Sequence, residues 1–294
     1  MDDAQLTPLA RRLQRTIEPL AANVYFAPEC HAAYETLGFR GSRGELGGAA
    51  LPDGSAYMTS RGAALGTVPG PVVAAAFGVF KPAAVTKGVD RGWSLTDRDT
   101  ILAARLAGAC ASLDRLLDGV WDEAGRARAT EILQAMAAAG TEPARPLFAG
   151  LRSLGWPGTA TGDLWRGADL VREFRGDAHV AAWTAAGFDA VEIGVISDLR
   201  HGLPLKSWVR SRGWSEEELD DAVRRLTSRG LLGGDGAMTE AGSDAREAVE
   251  IITDRQVAPM IEAVGLVAVG ELCEIVSPWA KAIAAGGGVP AAFA

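Results

Sequence analysis

The stretch Trp214–Arg255, WSEEELDDAVRRLTSRGLLGGDGAMTEAGSDAREAVEIITDR, decides how the chain is read. Ser215 followed three residues later by Glu218 is a capping box, so a helix starts there. Leu219, Ala222, Val223 and Leu226 recur at helical spacing and supply its apolar stripe. Gly230 stands where a left-handed C-cap is wanted. Leu231–Leu232 then reads as a short strand, Gly233-Gly234-Asp235-Gly236 as a tight turn, and Ala237–Thr239 as the returning strand. A second helix is expected from Ser243 through Ala248, Val249, Ile252 and Val257.

Helix, two-stranded wing and long helix make the second half of a winged helix. The pattern L-x-x-x-G-L-L…M-T-x-x-G-x-x-x-R resembles the winged-helix domain of MarR-type regulators. In such a domain the first helix enters the major groove, and Lys and Arg contacts to phosphate supply most of the affinity. Here that helix opens with Glu216, Glu217, Glu218, Asp220 and Asp221, while Arg224, Arg225 and Arg229 come only in its last turns. The acids suit the positive end of the helix dipole but would repel a phosphate backbone, so DNA is not the expected partner.

Composition points the same way. The chain has 294 residues, 48% of them hydrophobic, enough for two packed domains. Its net charge of −8 has the wrong sign for a general binder of nucleic acid or anionic membrane. Cys30, Cys110 and Cys273 are scattered, which suits a reducing cytosol rather than a disulfide framework or zinc ribbon. No apolar signal segment opens the chain, and the longest apolar stretch, Val72–Phe80, falls far short of the ~20 residues that span a bilayer. A cytoplasmic protein without a membrane partner is expected.

Working outward, Leu6–Ala22 reads as an amphipathic helix broken or kinked at Pro19, and Glu29–Leu37 as a helix that follows Pro28 and ends at Gly38. Gly41–Gly54 is Gly-rich, without periodicity, and reads as a mobile loop. Met58-Thr59-Ser60-Arg61-Gly62 echoes Met238-Thr239-Glu240-Ala241-Gly242, which raises a duplicated winged-helix-like unit. Val72–Phe80 is helix or strand. Helices are expected from Ser94–Asp97 onward, over Asp122–Ala139 and Ala144–Leu154, from a cap at Asp163, and over Asp189–Leu199. Gly155–Gly162 is the linker candidate. The expected fold is mainly α: a helical N-terminal domain over 1–158 and a winged-helix domain with C-terminal helices over 159–294. Those terminal helices are apolar enough to pack on the rest or to form a homodimer.

Four segments carry a second resemblance: Tyr25-Phe26-Ala27-Pro28-Glu29, Ser60-Arg61-Gly62-Ala63-Ala64-Leu65-Gly66, Arg175-Gly176-Asp177-Ala178-His179-Val180-Ala181-Ala182, and Leu231–Arg246. Together they resemble an actinobacterial family of two-domain helix-turn-helix-like proteins, over nearly the whole chain. The sequence departs from that pattern at Ala64, where the family has Pro, and in an expanded loop before Arg61. The resemblance implies architecture and no particular activity.

His179 is one of three histidines. On a helix it shares a face with Arg172 and Arg175, and Gly176 on that face lets a ligand or another backbone approach. A His beside two Arg tends to stay neutral and can take a proton from an anionic ligand. The alternative is a packing His bonded to a carboxylate such as Glu29 or Asp177. Glu29, with Tyr25 and Arg61, is the second candidate, against a simple capping role. His31 points away from Glu29, and the chain lacks H-x-x-x-H, H-E-x-x-H or a Cys/His cluster, so neither a metal nor another cofactor is expected. The glycines of Gly41–Gly48 lack both G-x-G-x-x-G and G-K-[ST], and Ser60 and Ser211 lack a nucleophile-elbow context. Lys206, Arg210 and Arg212 form a basic cluster suited to an anionic ligand, an acidic protein, a phosphate backbone or plain solvent.

The leading expectation is a winged-helix scaffold turned to small-molecule work on an anionic metabolite. His179 and Glu29 would move a proton, and Tyr25, Arg61, Arg172, Arg175 and Asp177 would bind the ligand. Cofactor-free elimination or intramolecular cyclisation in natural-product biosynthesis needs no more than these side chains. The alternatives are a MarR-type ligand-responsive regulator and a non-catalytic protein that sequesters a metabolite for self-resistance.

Overall fold

A computed structural model describes residues 3–290. The chain is mainly α-helical, and the local signals that start its helices are visible one after another. Helix α1 (Asp3–Phe26) runs without interruption through Pro8 and Pro19. The break expected at Pro19 does not occur. That residue is buried, as is every residue from Leu20 to Phe26, so packing on all sides holds the turn that lacks one backbone donor. Pro28 takes the first turn of α2 (Pro28–Glu35).

The segment expected to be a loop without order contains a small hairpin. Strands β1 (Glu45–Leu46) and β2 (Ala49–Ala50) pair antiparallel around Gly47-Gly48. Both glycines have positive φ, 57° and 81°. That is the backbone a two-residue primed turn demands, and glycine alone adopts it freely at both positions. Asp53 then caps α3 (Gly54–Gly62) through the amides of Ser55 and Ala56. Met58–Gly62 therefore lies inside a helix, and the echo of the C-terminal wing is not a second wing.

Val72–Phe80 resolves as α4 (Gly70–Phe77), followed by α5 (Pro82–Leu95). Asp97 caps α6 (Arg98–Leu116), Asp122 caps α7 (Glu123–Ala139), and α8 (Pro146–Ser153) begins on proline. The next helix, α9 (Ala160–Ala185), is capped by Thr159. The expected cap, Asp163, lies in its first turn and accepts from the Gly158 amide instead. Asp189 and Glu192 form a capping box for α10 (Ala190–Arg200). A 3-10 turn, Val209–Arg212, leads to α11 (Glu216–Ser228), whose Ser215–Glu218 capping box forms as read. Where a two-stranded wing is expected, the structure has one antiparallel bridge, Leu232–Met238. Helix α12 (Glu240–Ala285) starts three residues earlier than expected, because Thr239 caps it, and it is interrupted at Gly265.

The largest apolar cluster lies among α1, α6, α7, α9 and α12, with Trp165, Phe148 and Phe174 inside. A second joins the end of α9 to α10, α11, the bridge and the start of α12. A third ties α3 to α4 and α5 through Met58, Val73, Phe77 and Val89. Helix α9 contributes to the first two clusters, and its Val180 packs beside the second. Among the described residues no single helix is long and apolar enough to cross a membrane.

Candidate functional site

Helix α9 is the spine of the site, and a carboxylate the sequence hides is its hub. Glu173 is 1% exposed. It receives Arg61 from α3 in a two-pronged pair, Nε to Oε1 at 2.8 Å and Nη2 to Oε2 at 2.7 Å. Arg172 adds Nη1 to Oε1 at 2.9 Å and reaches Glu18 of α1 with its Nε. The Tyr25 hydroxyl lies 3.5 Å from Oε1 and accepts from Arg105 Nη2 at 3.2 Å, while the same Nη2 meets Asp169 at 3.1 Å. Burial opposes the charge on Glu173, yet Arg61 and Arg172 outweigh it and hold the carboxyl at about 2. Burial pushes the Tyr25 phenol up to about 12. Arg61 is stacked over Phe77 at 4.4 Å and donates Nη1 to the Tyr57 hydroxyl at 3.3 Å. These side chains form a neutralised frame in which Arg61 and Arg172 are already matched with carboxylates.

One turn further along α9, Arg175 is matched too. Its Nη2 meets Glu250 at 2.5 Å and Asp254 at 3.2 Å, both on α12. Arg11 shares Asp254, and Arg246 shares Glu250.

His179 follows, and its proton can be assigned from its neighbours. The Thr253 hydroxyl donates to the Val249 carbonyl at 2.8 Å, and His179 Nδ1 lies 3.1 Å from the same oxygen. With its hydrogen directed at Val249, Thr253 Oγ1 accepts, so Nδ1 carries the imidazole proton and Nε2 presents a lone pair. Desolvation, with Arg246, Arg175 and Arg212 adding to it against Glu250, drives the ring down to about 3. The histidine is thus a neutral acceptor at pH 7. It is not sealed off: its side chain keeps 22% exposure, and Arg61, Arg172 and Arg175 keep 12, 21 and 14%. These groups are desolvated yet still partly accessible, and they form one side of the candidate cleft.

The far wall of this cleft is the 3-10 turn. Asp198 accepts the amides of Trp208 and Val209 at 3.1 and 3.2 Å and so fixes the turn against α10. A Cβ on Gly194 would lie 2.4 Å from Val209 Cγ2 and 3.2 Å from Arg212 Nη1, so glycine is needed for the turn to sit this close. The arrangement carries Arg212 into the cleft, near enough to His179 and Tyr57 to interact electrostatically with both. Burial lowers its affinity for the proton against the pull of Asp198. Among the described residues the Arg212 guanidinium has no hydrogen-bond or ion-pair partner.

The residues expected from the sequence divide accordingly. Tyr25, Arg61 and Arg172 meet at Glu173, and Arg175 and His179 lie one and two turns beyond. Glu29 does not join them: its carboxylate is held by Arg115 of α6, and His179 turns to Thr253 rather than to Glu29 or Asp177. Asp177 faces the start of α8, where it accepts from the Phe148 amide at 3.0 Å, and burial raises it to about 7. Gly176 is half-buried, and a Cβ there would touch Glu173 Oε2 at 3.3 Å. Sequence reasoning missed Glu173, Thr253 and Tyr57, and placed Arg212 only within a general basic cluster.

A helix-turn-helix family matches residues 10–290, nearly the whole chain. The chain belongs to this helix-turn-helix family. No curated protein and no solved structure matches it. In this family member the acidic start of α11 is engaged by neighbouring side chains. Lys81, from the α4–α5 connection, bonds Glu218 at 2.8 Å, and Trp214 Nε1 donates to the Val79 carbonyl at 3.1 Å, which ties the start of α11 to that connection while Ser215, Glu216 and Glu217 stay exposed. The nearby cations are matched as well: Arg210 with Glu216, Lys206 with Asp220, Arg224 with Asp221, and Arg225 and Arg229 with Glu192.

Proposed function

We propose that this helix-turn-helix family member holds an anionic metabolite in the cleft between α3, α9 and the turn Val209–Arg212, and moves a proton on it without a cofactor. The observation that carries this reading is Arg212, a desolvated cation without a partner, beside a neutral histidine whose Nε2 is free. Arg212 is half-buried; a guanidinium that has lost part of its hydration and has no carboxylate beside it is costly, and an anion that meets it recovers that cost.

The proton chemistry follows from the same charges. Desolvation and three nearby arginines keep His179 unprotonated, so its lone pair is available at neutral pH. A bound anion offsets those positive charges and raises the basicity of Nε2, so the ring becomes a competent base only once the ligand is present. Thr253 holds the required tautomer, and the Arg61–Glu173–Arg172 frame holds α9 in place without offering its own charge. In an elimination Nε2 takes the proton from the carbon next to the one bearing the leaving group, and the leaving group departs to solvent with its bonding pair; in a cyclisation by conjugate addition Nε2 takes the nucleophile's proton and returns it to the carbon that gains the electron pair. Glu29, engaged by Arg115, has no part in this reading.

The test is Arg212→Ala and His179→Ala, with affinity and turnover measured separately against a panel of carboxylate metabolites. Arg212→Ala should weaken binding by roughly 10- to 100-fold, the scale of a charge-assisted hydrogen bond. His179→Ala should spare affinity more than turnover. Unchanged affinity and turnover in both variants, or tight and specific binding of an operator by the parent, would overturn the reading.

A further inference from the structure

A groove on the surface between α4 and α9 continues the α9 face that begins at the cleft. It has a volume of about 350 Å³ and is lined by Pro71, Ala74, Gly78, Phe80, Val180 and Trp183, with no charged side chain among its lining residues. Glu173, Gly176, Val180 and Thr184 follow one another at spacings of three and four on α9, so one helix face leads from the Arg61–Glu173 pair to this groove. Phe80 belongs to both regions: it lines the groove, and its ring lies 5.6 Å from that of Tyr57, which bonds Arg61. The half-buried Gly176 puts no side chain across the path.

We infer that the ligand is amphipathic: a carboxylate or similar anion whose apolar chain or second ring lies in the α4–α9 groove while its charged end meets Arg212. This rests on the reading of the cleft given above and narrows the ligand class. The volume is at the small end for small-molecule sites, so it suits part of a metabolite better than a helix of a partner protein. Its charge-free lining would penalise a second ionic group.

Benzoate, 4-butylbenzoate and the neutral 4-butylbenzamide test this on the full chain by calorimetry. A fully buried methylene is worth about fourfold in affinity and a half-buried one about twofold, so 4-butylbenzoate should bind roughly 15-fold tighter than benzoate. Ala75 and Thr184 line the groove at exposed positions. Ala75→Trp and Thr184→Trp fill the groove from opposite walls without disturbing the core. Each should abolish the gain while leaving benzoate affinity within about twofold, and the amide should bind much more weakly than the acid. Equal affinity for the two acids, a gain that survives both variants, or an amide that binds as tightly as the acid overturns the inference while benzoate binding upholds the cleft. If neither acid binds, the reading of the cleft falls and this inference with it.

Discussion

Replacing Glu173 by Gln removes the charge that holds Arg61 and Arg172 together while keeping the shape of the side chain. Glu173 is 1% exposed and Arg61 keeps 12%, so solvent screens the pair little. Breaking a buried pair by neutralising one partner typically costs about 3–5 kcal/mol, because the other charge stays buried without a match. The titration of Glu173 supplies a second estimate. Its carboxyl lies at about 2 in the fold against an ordinary 4.5, which corresponds to something on the order of 3 kcal/mol of stability at neutral pH. At about 2 °C per kcal/mol for a chain of this size, Glu173→Gln should melt roughly 6–10 °C below the parent at pH 7. The sign is fixed by the direction of the shift. A carboxyl whose pKa is depressed by folding stabilises the protein above its unfolded value and loses that contribution as pH falls through its folded value. The gap between parent and variant should therefore close between about pH 4.5 and pH 2. Thermal melts followed by circular dichroism over that range measure it. A variant within 2 °C of the parent at pH 7, or a gap that ignores pH, would refute the assignment of Glu173 as the hub.

His179 should show nitrogen resonances of a neutral ring protonated on Nδ1 and no titration between pH 8 and pH 5, whereas Thr253→Val should release the tautomer and Thr253→Ser preserve it. Because folding lowers its pKa to about 3, His179 favours unfolding as pH falls below the ordinary value of 6.5, and the parent should lose stability between pH 6.5 and 3 that His179→Gln retains. Gly194→Ala forces the turn Val209–Arg212 away from α10; it should cost about 1–3 kcal/mol and weaken anion binding alongside Arg212→Ala, which a melt and a titration of the same sample compare. Replacing Glu216, Glu217 and Asp221 by Lys, with Glu218 left in its capping box, should cost roughly 0.3–1 kcal/mol each and add DNA affinity that falls with salt. Loss of a pre-existing operator preference in that triple variant would instead make α11 a reading helix.

The caps explain why so much of the helical architecture could be read in advance. Ser215 with Glu218, Asp189, Asp97 and Asp122 each satisfy amides within three residues, so the decision is local and written in adjacent letters. The same locality explains the failures. Thr159 and Asp163 are both good caps four residues apart, and Pro19 is an ordinary helix breaker until burial surrounds it.

Within the site, the α9 face of Arg172, Arg175 and His179 was legible from periodicity, because helical spacing alone aligns those side chains. That both of those arginines are matched by carboxylates was not. Arg61 meets Glu173 across 112 residues and Arg175 meets Glu250 across 75, and a glutamate in a helix reads as solvated surface until its partners arrive. Arg212 gave the opposite impression, one basic residue in a basic run, yet Lys206 and Arg210 find carboxylates on α11 and Arg212 stays half-buried without one. Helix starts, the amphipathic α9 and the acidic opening of α11 were thus determined by the sequence itself, since they depend on contacts within a turn or two. The matching of charges, and with it the arginine left without a carboxylate, was decided only by tertiary packing, because a buried ion pair depends on groups that the chain order keeps far apart.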